Sequence, residues 1–184
     1  MRDTNQRSMQ VTDEASAEGL RLAREAGEAY QKMVHYFIEH IAHCGRVQDS
    51  GDFRVGVAVE SAEPLWHLSG GKLVLGEPPV TANQHLEVVV TDAMDGRFVP
   101  QLAVAVTVLR QGREIGTWDL PFLWHPTMYH YGRNVTITGS GPHTLRVSIA
   151  APTFHRHDKV NGRRYGEPVV VEFADIDLKT GREP

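Results

Sequence analysis

Three short stretches of the sequence carry side chains that bind metal ions. "HLEVVV" places His85 two residues before Glu87. If Leu86, Val88 and Val90 face a core, strand alternation sets His85 and Glu87 together on the opposite face. "DLPFLWHPTMYHYGRNV", Asp119 to Val135, crowds His125, Met128, Tyr129, His130 and Tyr131 into a short loop. Pro126 interrupts strand geometry there, and Gly132 frees the backbone just after His130 and Tyr131. "PTFHRHDKVNG" projects His155 and His157 to one side if it is extended, with Asp158 beside them. Neutral imidazoles joined by a carboxylate or a thioether suit copper, iron(II) or zinc, and sulfur ligation favours copper(I).

Each stretch also has a plainer reading. His85 and Glu87 can form a hydrogen-bonded polar pair on a solvated sheet face. His125 can pack as a surface ring beside Trp124, and a single HxH or HxE spacing arises by chance. His35, His40 and His43 fall on or next to a helix, where His35 stands four residues before Glu39 and needs no metal to explain it. Three such stretches on neighbouring strands weigh more than any one of them. No separate nucleophile or acid–base constellation accompanies them, so a binding protein is expected here and not an enzyme.

The elements that must position these residues follow from periodicity. From about Asp13 to His43, Leu20, Ala23, Gly27, Tyr30, Val34, Phe37, Ile38 and Ile41 recur near a 3.6-residue spacing, which predicts an amphipathic helix. Thr12 or Asp13 is the expected N-cap, Glu14 and Glu18 suit the first turns, and Gly45 is the expected stop. Arg21, Arg24, Glu25, Glu28, Lys32 and Glu39 form the solvated face. After Gly51 the period becomes two: "FRVGVAVE", "HLEVVV", "QLAVAVTVLR", "EIGTWDL", "NVTITG", "HTLRVSIA" and "EPVVVEFADI" read as strands. Turn signals at Asp95-Gly96, Gln111-Gly112, Gly139 to Pro142 and Asn161-Gly162 separate them. This pattern predicts a mainly β protein, an immunoglobulin-like antiparallel β-sandwich with an N-terminal amphipathic helix. The expected division is a disordered leader over 1–12, the helix over 13–44 and the sandwich over 51–178.

Composition narrows the partners. A net charge of −4 gives no electrostatic reason to expect nucleic acid or an anionic membrane surface. The single cysteine, Cys44, excludes an intrachain disulfide and a thiolate zinc finger. Ten histidines are many for 184 residues. The polar opening "MRDTNQRSMQVTDEAS" lacks the apolar centre of a signal peptide, an expectation that points to the cytoplasm.

From about Val55 to Ile176 the sequence resembles the periplasmic iron-transport proteins, immunoglobulin-like copper- and iron-binding proteins associated with high-affinity iron permeases. "HLEVVV", "RFVPQLAVAVTVLRQG", "HYGRNV" and "HRHDKVNGRRYGEPVVVEF" carry the resemblance, in the family's order. It implies a copper or iron site built from His85, Glu87, His130 and His157, at or near a homodimer interface. It also implies capture and hand-over of the ion, a membrane iron permease as a partner, and a periplasmic or extracellular location. The family's methionine belongs seven residues before the HYG histidine, where this chain has Leu123. Met128 and His125 are the candidates to replace it. The alternative is an interaction module that keeps the sandwich but docks a partner through Tyr30, Val34, Phe37 and Ile41 of the helix.

Overall fold

The computed structural model describes residues 8–179. Helix α1, Ala17–His40, is followed by strands β1 Cys44–Ser50, β2 Phe53–Ser61, β3 Leu65–Ser69, β4 Lys72–Gly76, β5 Gln84–Asp92, β6 Val104–Arg110, β7 Arg113–Leu120, β8 Phe122–Trp124, β9 Tyr129–Val135, β10 Gly141–Ile149 and β11 Val169–Leu178. One sheet has the order β1-β2-β5-β9-β8 and the facing sheet β11-β10-β6-β7, while β3 and β4 form a separate hairpin. Every pairing is antiparallel. This is the expected sandwich.

The core follows from alternation. Val55, Val57, Val59, Leu86, Val88, Val90, Tyr131 and Val135 of the first sheet meet Val104, Val106, Val108, Leu145, Val147, Ile149, Val171 and Phe173 of the second. Burying a Val or Leu side chain contributes about 1.5–3 kcal/mol, so this double row dominates the fold's stability. On the outer face of the first sheet a second cluster forms, in which Val34 and Phe37 of α1 pack on Ala58, Val89 and Met128. Strand β5 is consequently buried along both faces.

Several boundaries differ from expectation, each for a local reason. Ser16, not Thr12 or Asp13, caps α1, its hydroxyl accepting from Gly19 N–H at 3.0 Å. Thr12 instead accepts from Ala15 N–H and donates to the Asp158 carboxylate at 2.6 Å. Gly45 is not the helix stop. It lies in β1 opposite Ala58, where a Cβ would come within 2.6 Å of the Val57 carbonyl oxygen and 3.1 Å of an Ile38 methyl. The sheet thus begins at Cys44, ahead of Gly51. Ile137 falls outside β9, and the hairpin β3–β4 and strands β1 and β8 join the expected strands.

Of the expected disordered leader, residues 1–7 lie outside the described residues. Gln10 and Thr12 are bonded to Asn161 and Asp158. The helix-docking alternative meets an obstacle too: Val34 and Phe37 are spent on the chain's own sheet, and the Tyr30 hydroxyl is bonded to Tyr129.

Candidate metal centre

Sheet register assembles the site on the outer face of the first sheet. One row across it reads Glu60, His85 and Asn134, from β2, β5 and β9. The next reads Ala58, Glu87 and Gly132. His130 follows on β9, opposite Leu123 of β8. Small residues flank Glu87 on both sides, so the larger side chains of adjoining rows converge over it. Gly132 is required by this convergence. A Cβ there would stand 2.8 Å from His85 Nε2 and 2.9 Å from a Leu123 methyl carbon.

Glu87 Oε1 lies 3.8 Å from His85 Nε2 and 3.7 Å from His130 Nε2. The two imidazole planes are perpendicular, with ring centroids 6.1 Å apart. His85 is fully buried and Glu87 and His130 are 3% exposed, yet His85 Nε2, Glu87 Oε2 and both His130 ring nitrogens lack hydrogen-bond partners. Buried polar atoms are ordinarily satisfied, and each orphan costs about 1–3 kcal/mol. One atom from each of the three residues converges on a common space, within 4.8 Å of one another, and together they form a donor set that a cation satisfies. The residues therefore fit a metal ion.

The electrostatics agree. Burial raises the Glu87 carboxyl to about 8, and Glu60 and Glu63 push the same way. Burial and the neighbouring His85 and His125 lower the His130 imidazole to about 3. His85 is also lowered, by burial. Both imidazoles are thus neutral and hold lone pairs for an ion. His85 Nδ1 lies 2.9 Å from Asn134 Oδ1, an acceptor that fixes the proton on Nδ1 and leaves Nε2 as donor to a metal. Asn134 in turn binds the Glu63 backbone through both amide atoms.

The remaining candidates lie elsewhere. Met128 is buried among Val34, Phe37, Ala58 and Val89, so its side chain packs in the helix–sheet cluster. His125 is half-buried, its ring between those of Phe37 and His130 at 6.3 and 6.2 Å, and its Nδ1 pairs with the Thr127 hydroxyl. It flanks the imidazole pair without joining it. His157 is exposed. Its segment is anchored at the far end of β5, where Arg164 and Tyr165 bind Asp92. Seven residues of strand, roughly 23 Å, separate Asp92 from His85, so the fold does not bring His157 to the trio within one chain.

Glu60 and Glu63 were missed from sequence. They and Glu87 also offer oxygens within 4.8 Å of one another. Glu60 was readable as an outward residue of "FRVGVAVE", but nothing local pairs Glu63 with His85, which is 4.0 Å away.

The sequence profile of the Fe2+ transport proteins matches residues 77–179, more than half of the chain. The chain belongs to the Fe2+ transport protein family. The matched residues include His85, Glu87, His130 and His157, whereas Glu60, Glu63 and α1 precede them. Two solved structures share the fold of this Fe2+ transport family member. The as-isolated FetP of uropathogenic Escherichia coli strain F11 is 22% identical, with a TM-score of 0.58 over 73% of this chain and 95% of that one. The copper-reconstituted P19 protein of Campylobacter jejuni is 18% identical, with a TM-score of 0.59 over 73% and 96% of the two chains. No curated protein sequence matches this chain.

Proposed function

We propose that this protein captures a copper or iron ion through His85, Glu87 and His130 and hands it on, acting as a carrier and not as an enzyme. The observation that carries the reading is the set of buried, unpartnered donor atoms on those three side chains. Membership in the Fe2+ transport family and the copper held by P19 support it. Two imidazoles and a carboxylate, with Leu123 where a methionine is expected, form a borderline-to-hard donor set. That chemistry favours iron(II) or copper(II) over copper(I). Chemical hand-over is consistent with an incomplete shell, since three protein donors leave positions for water or an acceptor's ligand.

His157 would enter from a second copy of the chain, which gives the proposed homodimer a chemical purpose. A membrane iron permease is the proposed acceptor and the periplasm the proposed location, both by family.

The test is titration of the metal-free, untagged chain with copper(II) and, anaerobically, with iron(II). One ion per chain is expected, with affinity falling at least about tenfold in His130→Ala as one of three donors is lost. Unchanged affinity in that variant would sink the assignment.

A further inference from the structure

The hairpin β3–β4 stands apart from the sandwich. Among the described residues its strands pair only with each other. Gly70 and Gly71, both at positive φ, close it with open space around the tip. In the register Trp66 pairs with Leu75 and Leu68 with Leu73, so alternation puts all four side chains on one face. His67, Ser69 and Lys72 stand on the other. Trp66, Leu68, Leu73 and Leu75 are 66%, 71%, 69% and 45% exposed. A lone two-stranded hairpin is marginally stable in water and needs its apolar face covered.

At those exposures the four side chains present roughly 500 Å² of apolar surface, the size of the largest patch on a typical monomer. That nearly reaches the lower end of specific interfaces, about 600 Å² per partner. The face bears no charge, and its one polar side-chain group is the Trp66 indole N–H. Its complement is an equally apolar face, and every copy of the chain carries one, which a two-fold axis pairs by construction. Charge then sets the orientation. Glu63 and Glu77, both exposed, flank the base of the hairpin, and Lys72 stands at its tip. With both bases on one side, four carboxylates would meet. Laid tip to base, each Lys72 meets the Glu63 and Glu77 of the other copy. The same acidic base opposes docking on an anionic lipid surface.

We propose that two copies of this chain associate through their β3–β4 hairpins, packed face to face and tip to base on Trp66, Leu68, Leu73 and Leu75. This goes beyond the reading above, which leaves open where copies meet and holds with or without this contact. The hairpin lies ahead of residues 77–179, so the surface belongs to what this chain adds to the family profile. It also borders the metal site. The Glu63 backbone at the base of the hairpin is bonded to Asn134, and its carboxylate lies 4.0 Å from His85 Nε2. Tip-to-base packing sets the turn at 70–72 of one copy beside the mouth of the other copy's site, where it narrows the approach of an ion.

The test is sedimentation velocity of the full, metal-free chain across a concentration series. Leu68→Thr/Leu73→Thr removes apolar area while keeping a β-branched cross-strand pair that supports the hairpin. A concentration-dependent dimer is expected in wild type. In the double variant its dissociation constant should rise at least about tenfold, with unaltered far-ultraviolet circular dichroism and copper(II) stoichiometry. Lys72→Glu, at the exposed tip, should weaken the dimer by a smaller factor that shrinks in high salt. A monomeric wild type overturns the proposal, whether or not it floats with phosphatidylcholine vesicles. So does a dimer as tight in the double variant as in wild type, which places the interface elsewhere. An unchanged dimer in Lys72→Glu overturns the tip-to-base arrangement. Copper(II) titration of the same samples is read separately, so failure of the metal reading leaves this result standing.

Discussion

The Tyr30 hydroxyl of α1 donates to the Tyr129 carbonyl at 2.7 Å and accepts from the Tyr129 N–H at 2.9 Å. Those groups lie where the β5–β9 ladder has ended. Its last pair is Val88 with Tyr131, and the Val90 carbonyl turns away to Val99 N–H. A helix side chain thereby completes backbone pairing that the sheet leaves open, one residue before His130. Burial raises the Tyr30 phenol to about 12, which keeps it a donor at every physiological pH.

Tyr30→Phe removes both bonds and strands two backbone groups. A loss of about 1–3 kcal/mol is expected from the two hydrogen bonds together. Hydrogen exchange should show the Tyr129 amide deprotected, while amides of β10 and β11 keep their protection. An unchanged Tyr129 amide would mean that water replaces the phenol without cost.

Leu123→Met tests the donor set. Leu123 pairs with His130 in the register, and its methyl carbon and His85 Nε2 both border the space over Gly132. A thioether at this position sits among the imidazoles and adds a soft ligand. Copper(I) affinity should rise on the order of tenfold, with iron(II) affinity little changed. Competition with a colorimetric copper(I) chelator reads the difference, and equal rises for both ions would contradict a ligand effect.

The metal-free protein should lose stability between pH 6.5 and pH 8. Glu87 is raised from 4.5 to about 8, so across that window the folded chain holds a proton that the unfolded chain has released, and rising pH destabilises. His130 is lowered from 6.5 to about 3, so rising pH stabilises across that range and contributes nothing further above it. The two oppose one another from 4.5 to 6.5, leaving Glu87 alone beyond. Melting temperatures of the metal-free chain should fall from pH 6.5 to 8 in wild type and stay flat in Glu87→Gln. A parallel fall in both would place the responsible group elsewhere.

The sequence by itself determined the sandwich, the helix and the face on which each candidate side chain stands. Alternation in "HLEVVV" sets His85 and Glu87 together because neighbouring residues of a strand must point to opposite sides, and amphipathic spacing marks Leu20, Gly27, Val34 and Phe37 as the buried side of α1. Such rules act within one element, so they are legible without knowing what lies across from it. Only the tertiary structure decided which element covers which face. It put the helix over the outer sheet, turning an expected solvated pair into a buried one, and drew Met128 into that core. It also set Glu63 beside His85 through Asn134, and left His157 at the far end of the strand. Each of these depends on contacts between residues distant in the chain, where register and packing carry the information and local pattern does not.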